Sequence, residues 1–121
     1  MQLFVYGTLK KGMRAHHMMD GAKFIGDALI KGSLYNGGFP CLKQEGSTVV
    51  HGELYQVDDA VVSRCDSYEG HPDLFKRTST KCWLTHATDG SLIEERAFDC
   101  MTYVYQGSVE GRPLVHGGKW E

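Results

Sequence analysis

Among the four cysteines, Cys41, Cys65, Cys82 and Cys100, no Cys-x-x-Cys pair occurs. Neither zinc-ribbon spacing nor a redox dithiol motif is therefore present. The six histidines, His16, His17, His51, His71, His86 and His116, contain no His-Glu-x-x-His and no His-x-x-x-His, so the helical zinc signature is missing. There is no excess of positive charge: 13 Lys and Arg stand against 15 Asp and Glu, for a formal net charge of −2. That leaves no electrostatic footprint for nucleic acid and no polybasic segment for a membrane surface. No apolar run approaches the length of a membrane span. The apolar stretch at the N-terminus is too short for a secretory signal and has no basic flank. Four reduced thiols in a cytoplasmic protein are the expectation. The chain also lacks repeats, linkers and low-complexity segments.

What is present is a chain of 121 residues, 41% hydrophobic and 23% charged. That length predicts one domain over residues 1–121. Fifteen glycines punctuate short apolar segments, a pattern of strands and turns rather than a helical bundle. Met1–Tyr6 reads as a buried strand, Met13–Asp20 as a short helix, and Lys23–Tyr35 as a strand bent at Gly26 or Gly32. Asn36-Gly37-Gly38 is turn chemistry. Val49–Val57 is a strand with Val50, Gly52, Leu54 and Gln56 on one face and Val49, His51, Glu53, Tyr55 and Val57 on the other. The period then changes. Asp58 and Asp59 suit a helix N-cap, Val61, Val62, Cys65 and Tyr68 follow at helical spacing, and Gly70 and Pro72 mark the stop. Arg77–His86 and Glu94–Tyr105 read as two strands joined at Thr88-Asp89-Gly90. The tail from Gly107 is loop-like.

Three segments carry chemistry. The turn after the first strand, Gly7-Thr8-Leu9-Lys10-Lys11-Gly12, matches half of a phosphate loop. Met13-Arg14 stand where its Lys and Ser/Thr belong, so a nucleotide site is not expected. The turn either ends a strand or presents its backbone N–H groups to another ligand. The helix end "CDSYEGHPDLFKR" puts Glu69 on the face shared by Val62, Cys65 and Asp66. Helix C-termini and partial burial both disfavour an anion. They would raise the Glu69 pKa into the range a general acid or base needs, and Lys10 is a cation able to oppose that rise. The other reading of Glu69 is a solvated surface glutamate. The segment "LYNGGFPCL" is a hairpin whose Tyr35 and Phe39 would wall a small pocket if they turn inward. Cys41 and Cys65 have no evident activating partner and read as buried thiols.

Taken in order, "FVYGTLKKG", "LYNGGFPCL", "HGELYQVDD" and "DSYEGHPDLFKR" resemble the gamma-glutamylcyclotransferase family, in particular the gamma-glutamylamine cyclotransferases and their small bacterial relatives. The resemblance runs from Leu3 to about Lys76 and returns at "TYVYQG" and "GGKW". It implies an α+β fold, a small mixed β-barrel flanked by short helices. It implies an enzyme that cyclises a gamma-glutamyl amine or peptide to 5-oxoproline and releases the free amine, with no cofactor and no metal. The family's substrate-holding turn falls on Tyr6, Gly7, Thr8 and Leu9, and its acid/base on Glu69. The residues suit that chemistry. An α-ammonium must lose a proton before it attacks, the leaving nitrogen must gain one, and a single carboxyl can do both. Both reacting groups lie in one molecule, so the protein mainly holds the folded conformer, while N–H groups in a turn meet the charge on the γ-oxygen. In this reading Gly7 is bare so that the ligand can approach the backbone. The alternatives are a non-catalytic small-molecule binder with the same fold and a metal-dependent hydrolase. The leaving amine and the oligomeric state are left open.

Overall fold

The computed structural model describes residues 1–121. Its first strand, β1 (Gln2–Val5), is the hub of the architecture. β1 pairs antiparallel with β5 (Val49–Gln56) and parallel with β7 (Phe98–Tyr105). β2 (Lys23–Lys31) lies between β5 and β6 (Phe75–Leu84), and β6 pairs with β7, which closes a five-stranded barrel in the order β1-β5-β2-β6-β7. A two-stranded hairpin, β3 (Ser33–Asn36) with β4 (Pro40–Lys43), stands beside it. The fold is α+β, with one α-helix, α1 (Asp59–Glu69).

After Gln2, β1 is apolar because both of its faces are covered. Phe4 points into the barrel, where it meets Ile30, Val50 and Leu54. Leu3 and Val5 point outward and pack under the helix with Val57, Val61 and Cys65. The alternation along β5 is the same: Val50 and Leu54 belong to the barrel interior, Tyr55 and Val57 to the outer cluster. Burying a side chain of this size stabilises by about 1.5–3 kcal/mol, so α1 is held mainly by its Val61, Val62 and Cys65 stripe. Its ends are set locally. Asp58 Oδ1 accepts from the Val61 N–H at 3.0 Å, and Gly70 takes the left-handed conformation with φ of +66°, the usual C-terminal stop.

Several element boundaries differ from the sequence expectation. Lys23–Tyr35 is two strands. A β-carbon on Gly32 would stand 2.7 Å from the Lys43 carbonyl oxygen, and at this close approach the chain leaves the barrel and enters the hairpin. A register shift between Phe24 and Gly26 supplies the second bend. β6 starts two residues earlier than expected, at Phe75, and β7 begins at Phe98 rather than Glu94. Met13–Asp20 forms only a 3-10 turn at His16–Met19, and the tail carries another at His116–Gly118. No helix is long and apolar enough to cross a membrane.

Candidate active site

Where β1 ends, the chain turns sharply. Lys10 N–H donates to Gly7 O and Ala15 N–H to Thr8 O, each at 3.0 Å, which folds the following loop back over the turn. The N–H groups of Gly7, Thr8 and Leu9 themselves have no protein acceptor. These three residues border a cavity of about 250 Å³. Glu69, on the last turn of α1, lines the same cavity, 60 residues on from the turn. Phe39 and Pro40 from the hairpin, Phe75 from β6 and Tyr103 from β7 complete the wall. The volume is just below the usual range for small-ligand sites, roughly 300–1,000 Å³, and suits a compact ligand.

Glu69 is the only carboxylate on this wall. Burial raises its pKa to about 7, since the ionised form loses hydration among aromatic and aliphatic neighbours. Lys10 does not offset this. Its ammonium is buried on the far side of the turn, donates to Trp120 O at 2.7 Å, and is itself pushed down by burial. The one cation on the cavity wall is Arg14, exposed at the rim.

The other predicted residues take distinct positions. Tyr6 lines the cavity, but its hydroxyl donates to Tyr103 O at 2.5 Å and so braces the turn against β7. Burial, and then the Glu69 charge, hold the Tyr6 phenol well above the ordinary tyrosine range. Thr8 Oγ1 meets the Tyr68 hydroxyl at 2.9 Å. Leu9 lines the cavity and is buried as part of the outer cluster. Gly7 lines the cavity, and close packing also keeps it bare: a β-carbon there would stand 2.4 Å from Pro40 Cγ. Phe39 lines the cavity, edge-on to Phe75 and Tyr105 with centroids at 6.1 and 5.5 Å.

Tyr35 is not part of the wall. It follows Leu34, which points into the barrel interior, so the strand's alternation turns Tyr35 away. Its backbone instead bridges to Leu114. Sequence reasoning also missed Pro40, Tyr68, Leu74, Phe75 and Tyr103 as wall residues. Tyr103 lies in the "TYVYQG" stretch already singled out. Pro40 lies in "LYNGGFPCL" and Tyr68, Leu74 and Phe75 in "DSYEGHPDLFKR", but which side chains of these stretches form the wall is decided only by folding.

Behind the wall is a polar brace. Arg77 Nε and a terminal nitrogen donate to the two Asp66 carboxylate oxygens at 3.0 and 3.1 Å, and the Tyr103 hydroxyl donates to Asp66 Oδ1 at 2.7 Å. Burial by itself would raise the Asp66 pKa, but the Arg77 and Tyr103 hydrogen bonds outweigh it and hold the carboxyl below the usual range. The four cysteines are free and buried, and burial pushes the Cys65 thiol up to about 11, away from thiolate chemistry. His16 Nδ1 lies 2.9 Å from Leu9 O, and His71 Nδ1 accepts from the Arg77 N–H. No group of three or more His, Cys, Asp or Glu side chains is arranged to hold a metal ion.

Comparison with known proteins matches this arrangement to one family. The family described as "Gamma-glutamyl cyclotransferase, AIG2-like" matches residues 3–121. The chain is 30% identical over 121 residues to the gamma-glutamylcyclotransferase family protein YtfP of Escherichia coli (strain K12), covering 99% of this chain and 96% of that one. The crystal structure of an AIG2-like protein from Mus musculus aligns with a TM-score of 0.81 at 24% identity, over 99% of this chain and 87% of that one. The solution structure of ytfP from Escherichia coli aligns with a TM-score of 0.67 at 30% identity, over 99% and 96% of the two chains.

Proposed function

We propose, from the premise that this chain belongs to the gamma-glutamyl cyclotransferase, AIG2-like family, that it cyclises a gamma-glutamyl amine or peptide to 5-oxoproline and releases the free amine. The observation that carries the reading is the meeting of Glu69, its pKa raised to about 7, with the unpartnered N–H groups of Gly7, Thr8 and Leu9 around one small cavity.

In this mechanism ionised Glu69 takes one proton from the substrate's α-ammonium. The freed amine attacks the γ-carbonyl carbon, and the C–N bond that forms closes a five-membered ring. Charge gathers on the γ-oxygen and is met by N–H groups of the turn, which need no reorganisation because they already lack partners. Protonated Glu69 then gives its proton to the departing nitrogen and the old C–N bond breaks. The regenerated carboxylate takes the second proton from the ring nitrogen, which becomes the lactam N–H, and that proton leaves with the freed amine as its ammonium. A pKa near neutrality lets one group serve in both directions. The protein need only hold the folded substrate conformer, since nucleophile and carbonyl belong to one molecule.

The test is Glu69→Gln beside wild type, with a panel of gamma-glutamyl amines and peptides and 5-oxoproline as the measured product. Wild type should release 5-oxoproline with a chelator present, and the variant should lose about 10²–10⁴-fold in kcat while still binding 5-oxoproline. Wild type that binds the panel without turnover would make the protein a binder. Release of glutamate in place of 5-oxoproline, abolished by the chelator, would make it a metal-dependent hydrolase.

A further inference from the structure

On the opposite side of the Gly7–Leu9 turn lies a second and larger cavity, about 590 Å³, that the cyclisation chemistry does not use. Its walls come from the middle of β2 and β5, Lys10 after the turn, the loop after β6 and the C-terminal tail. Only two of its 16 lining residues are hydrophobic, so it is not an unfilled part of the core. Both charge signs face it: Lys10 and Lys119 on one hand, Asp27, Glu53, Asp89 and Glu121 on the other, with Asp89 Oδ1 already accepting from the Ser91 N–H and hydroxyl.

Lys10 is the unusual member. It is 6% exposed, and a buried ammonium ordinarily stands against a carboxylate. Here no carboxylate lies within ion-pair distance; the three ion pairs of the protein are Arg77–Asp66, Lys81–Asp99 and Arg96–Glu94. The Lys10 ammonium has one hydrogen bond, to Trp120 O. An ammonium carries three donors, so two are left for the cavity. Asp27 is half-buried and makes neither an ion pair nor a side-chain hydrogen bond. It is near enough to Lys10 to act on its charge, as are Glu53 and Glu121. Glu53 is already anchored through Oε1 by the Lys11 N–H and the Tyr55 hydroxyl.

We infer that this cavity is a binding site for a small zwitterion, with its carboxylate on Lys10 and its ammonium on Asp27. Charge balance selects the ligand class. A simple anion would meet the carboxylates of Asp27, Glu53, Asp89 and Glu121, and a simple cation would meet Lys10 and Lys119. A molecule carrying both charges satisfies both sides and costs the least desolvation without compensation. A free α-amino acid and a short peptide share this chemistry. The site adjoins the candidate active site in the chain, because Lys10 directly follows the turn and the Lys11 N–H is tied to Glu53. It is nonetheless separate from it: Phe4 lines the first cavity, and its ring stands against Gly52, which lines the second.

The experiment is an NMR titration of the full chain, following backbone amides, with four probes: L-alanine, L-alanyl-L-alanine, acetate and methylamine. The expected result is that L-alanine or the dipeptide shifts the amides of Lys10, Asp27, His51 and Gly117, whichever of the two is tighter naming the source. Acetate and methylamine, each one half of the zwitterion, should bind at least about tenfold more weakly. Asp27→Asn should weaken the zwitterion about tenfold, and Lys10→Met should do the same. Asp27 is partly exposed, so its variant tests the site even if Lys10→Met does not fold. Acetate or methylamine binding as tightly as the zwitterion overturns the inference. So do shifts confined to Tyr6–Leu9 and Glu69, the absence of shifts at tens of millimolar probe, and unchanged affinity in Asp27→Asn.

Discussion

The hydroxyls of Thr8 and Tyr68 meet at 2.9 Å across a sequence separation of 60 residues. Through them the turn that offers free N–H groups is tied to the residue just before Glu69. Tyr68→Phe removes the bridge and leaves the ring. One hydrogen bond contributes about 0.5–1.5 kcal/mol net, so kcat/KM for 5-oxoproline formation should fall about 2–10-fold. Tyr68 is exposed, and the melting temperature should barely move. A variant as active as wild type would show that the bridge does not position the turn.

The Glu69 pKa near 7 predicts two pH dependences with opposite uses. As the base, Glu69 must be ionised, so log(kcat/KM) should climb with pH and level off above about 7. Stability runs the other way. Between the ordinary value of 4.5 and about 7, the folded protein holds a proton that the unfolded chain has released. The stability tied to protonated Glu69 is thus whole below 4.5 and lost as pH rises through 7. Glu69→Gln, which cannot ionise, should match wild type near pH 4 and exceed it near pH 8 by up to about 3 kcal/mol in denaturant unfolding. A stability difference independent of pH would contradict the shifted pKa.

Gly7→Ala should fail by contact with Pro40, because the added β-carbon would stand 2.4 Å from Pro40 Cγ. Overpacking of this kind costs about 1–3 kcal/mol, and displacement of the turn should lower turnover as well. The built β-carbon is 3.2 Å from Pro40 Cβ, so Gly7→Ala combined with Pro40→Ala should recover part of both losses. Additive losses in the double variant would mean that Gly7 is required for something other than this contact.

Asp66→Asn breaks the two-point bond to Arg77 and leaves the guanidinium half-satisfied. The expected destabilisation is about 1–3 kcal/mol, read as a lower urea midpoint. Because the Asp66 pKa is depressed, its contribution is present above the ordinary carboxylate range and is lost as pH falls through the folded value. Wild type and variant should therefore converge in stability as the solution is acidified. Turnover should fall too, since Tyr103 is held by Asp66 and lines the cavity.

The extent to which the site was legible differs residue by residue. Glu69 and the Tyr6–Leu9 turn stand out in the sequence because a carboxylate beside an apolar helical stripe and a glycine turn after a buried strand are local patterns. Phe39 and Tyr35 were indistinguishable there: both are aromatics flanking one hairpin turn, and only the packing of Phe39 against Phe75 and Tyr105 shows which ring meets the cavity. Lys10 was legible as a cation near the turn, but not the side of the turn on which its ammonium is buried.

By itself the sequence determined what is set by neighbours in the chain. Asp58 and Gly70 bound α1 because capping acts within a turn of helix, and β5 alternates because side chains on a strand do. The ordered motifs likewise identified the family. Tertiary structure decided what depends on distant segments. It split Lys23–Tyr35 at Gly32 by the approach of the Lys43 carbonyl, and it gave Gly7 its partner in Pro40. It brought Glu69 to the turn by closing β1 between β5 and β7. The raised Glu69 pKa belongs to the same class, since the loss of water that causes it comes from a wall drawn from six separate stretches of chain.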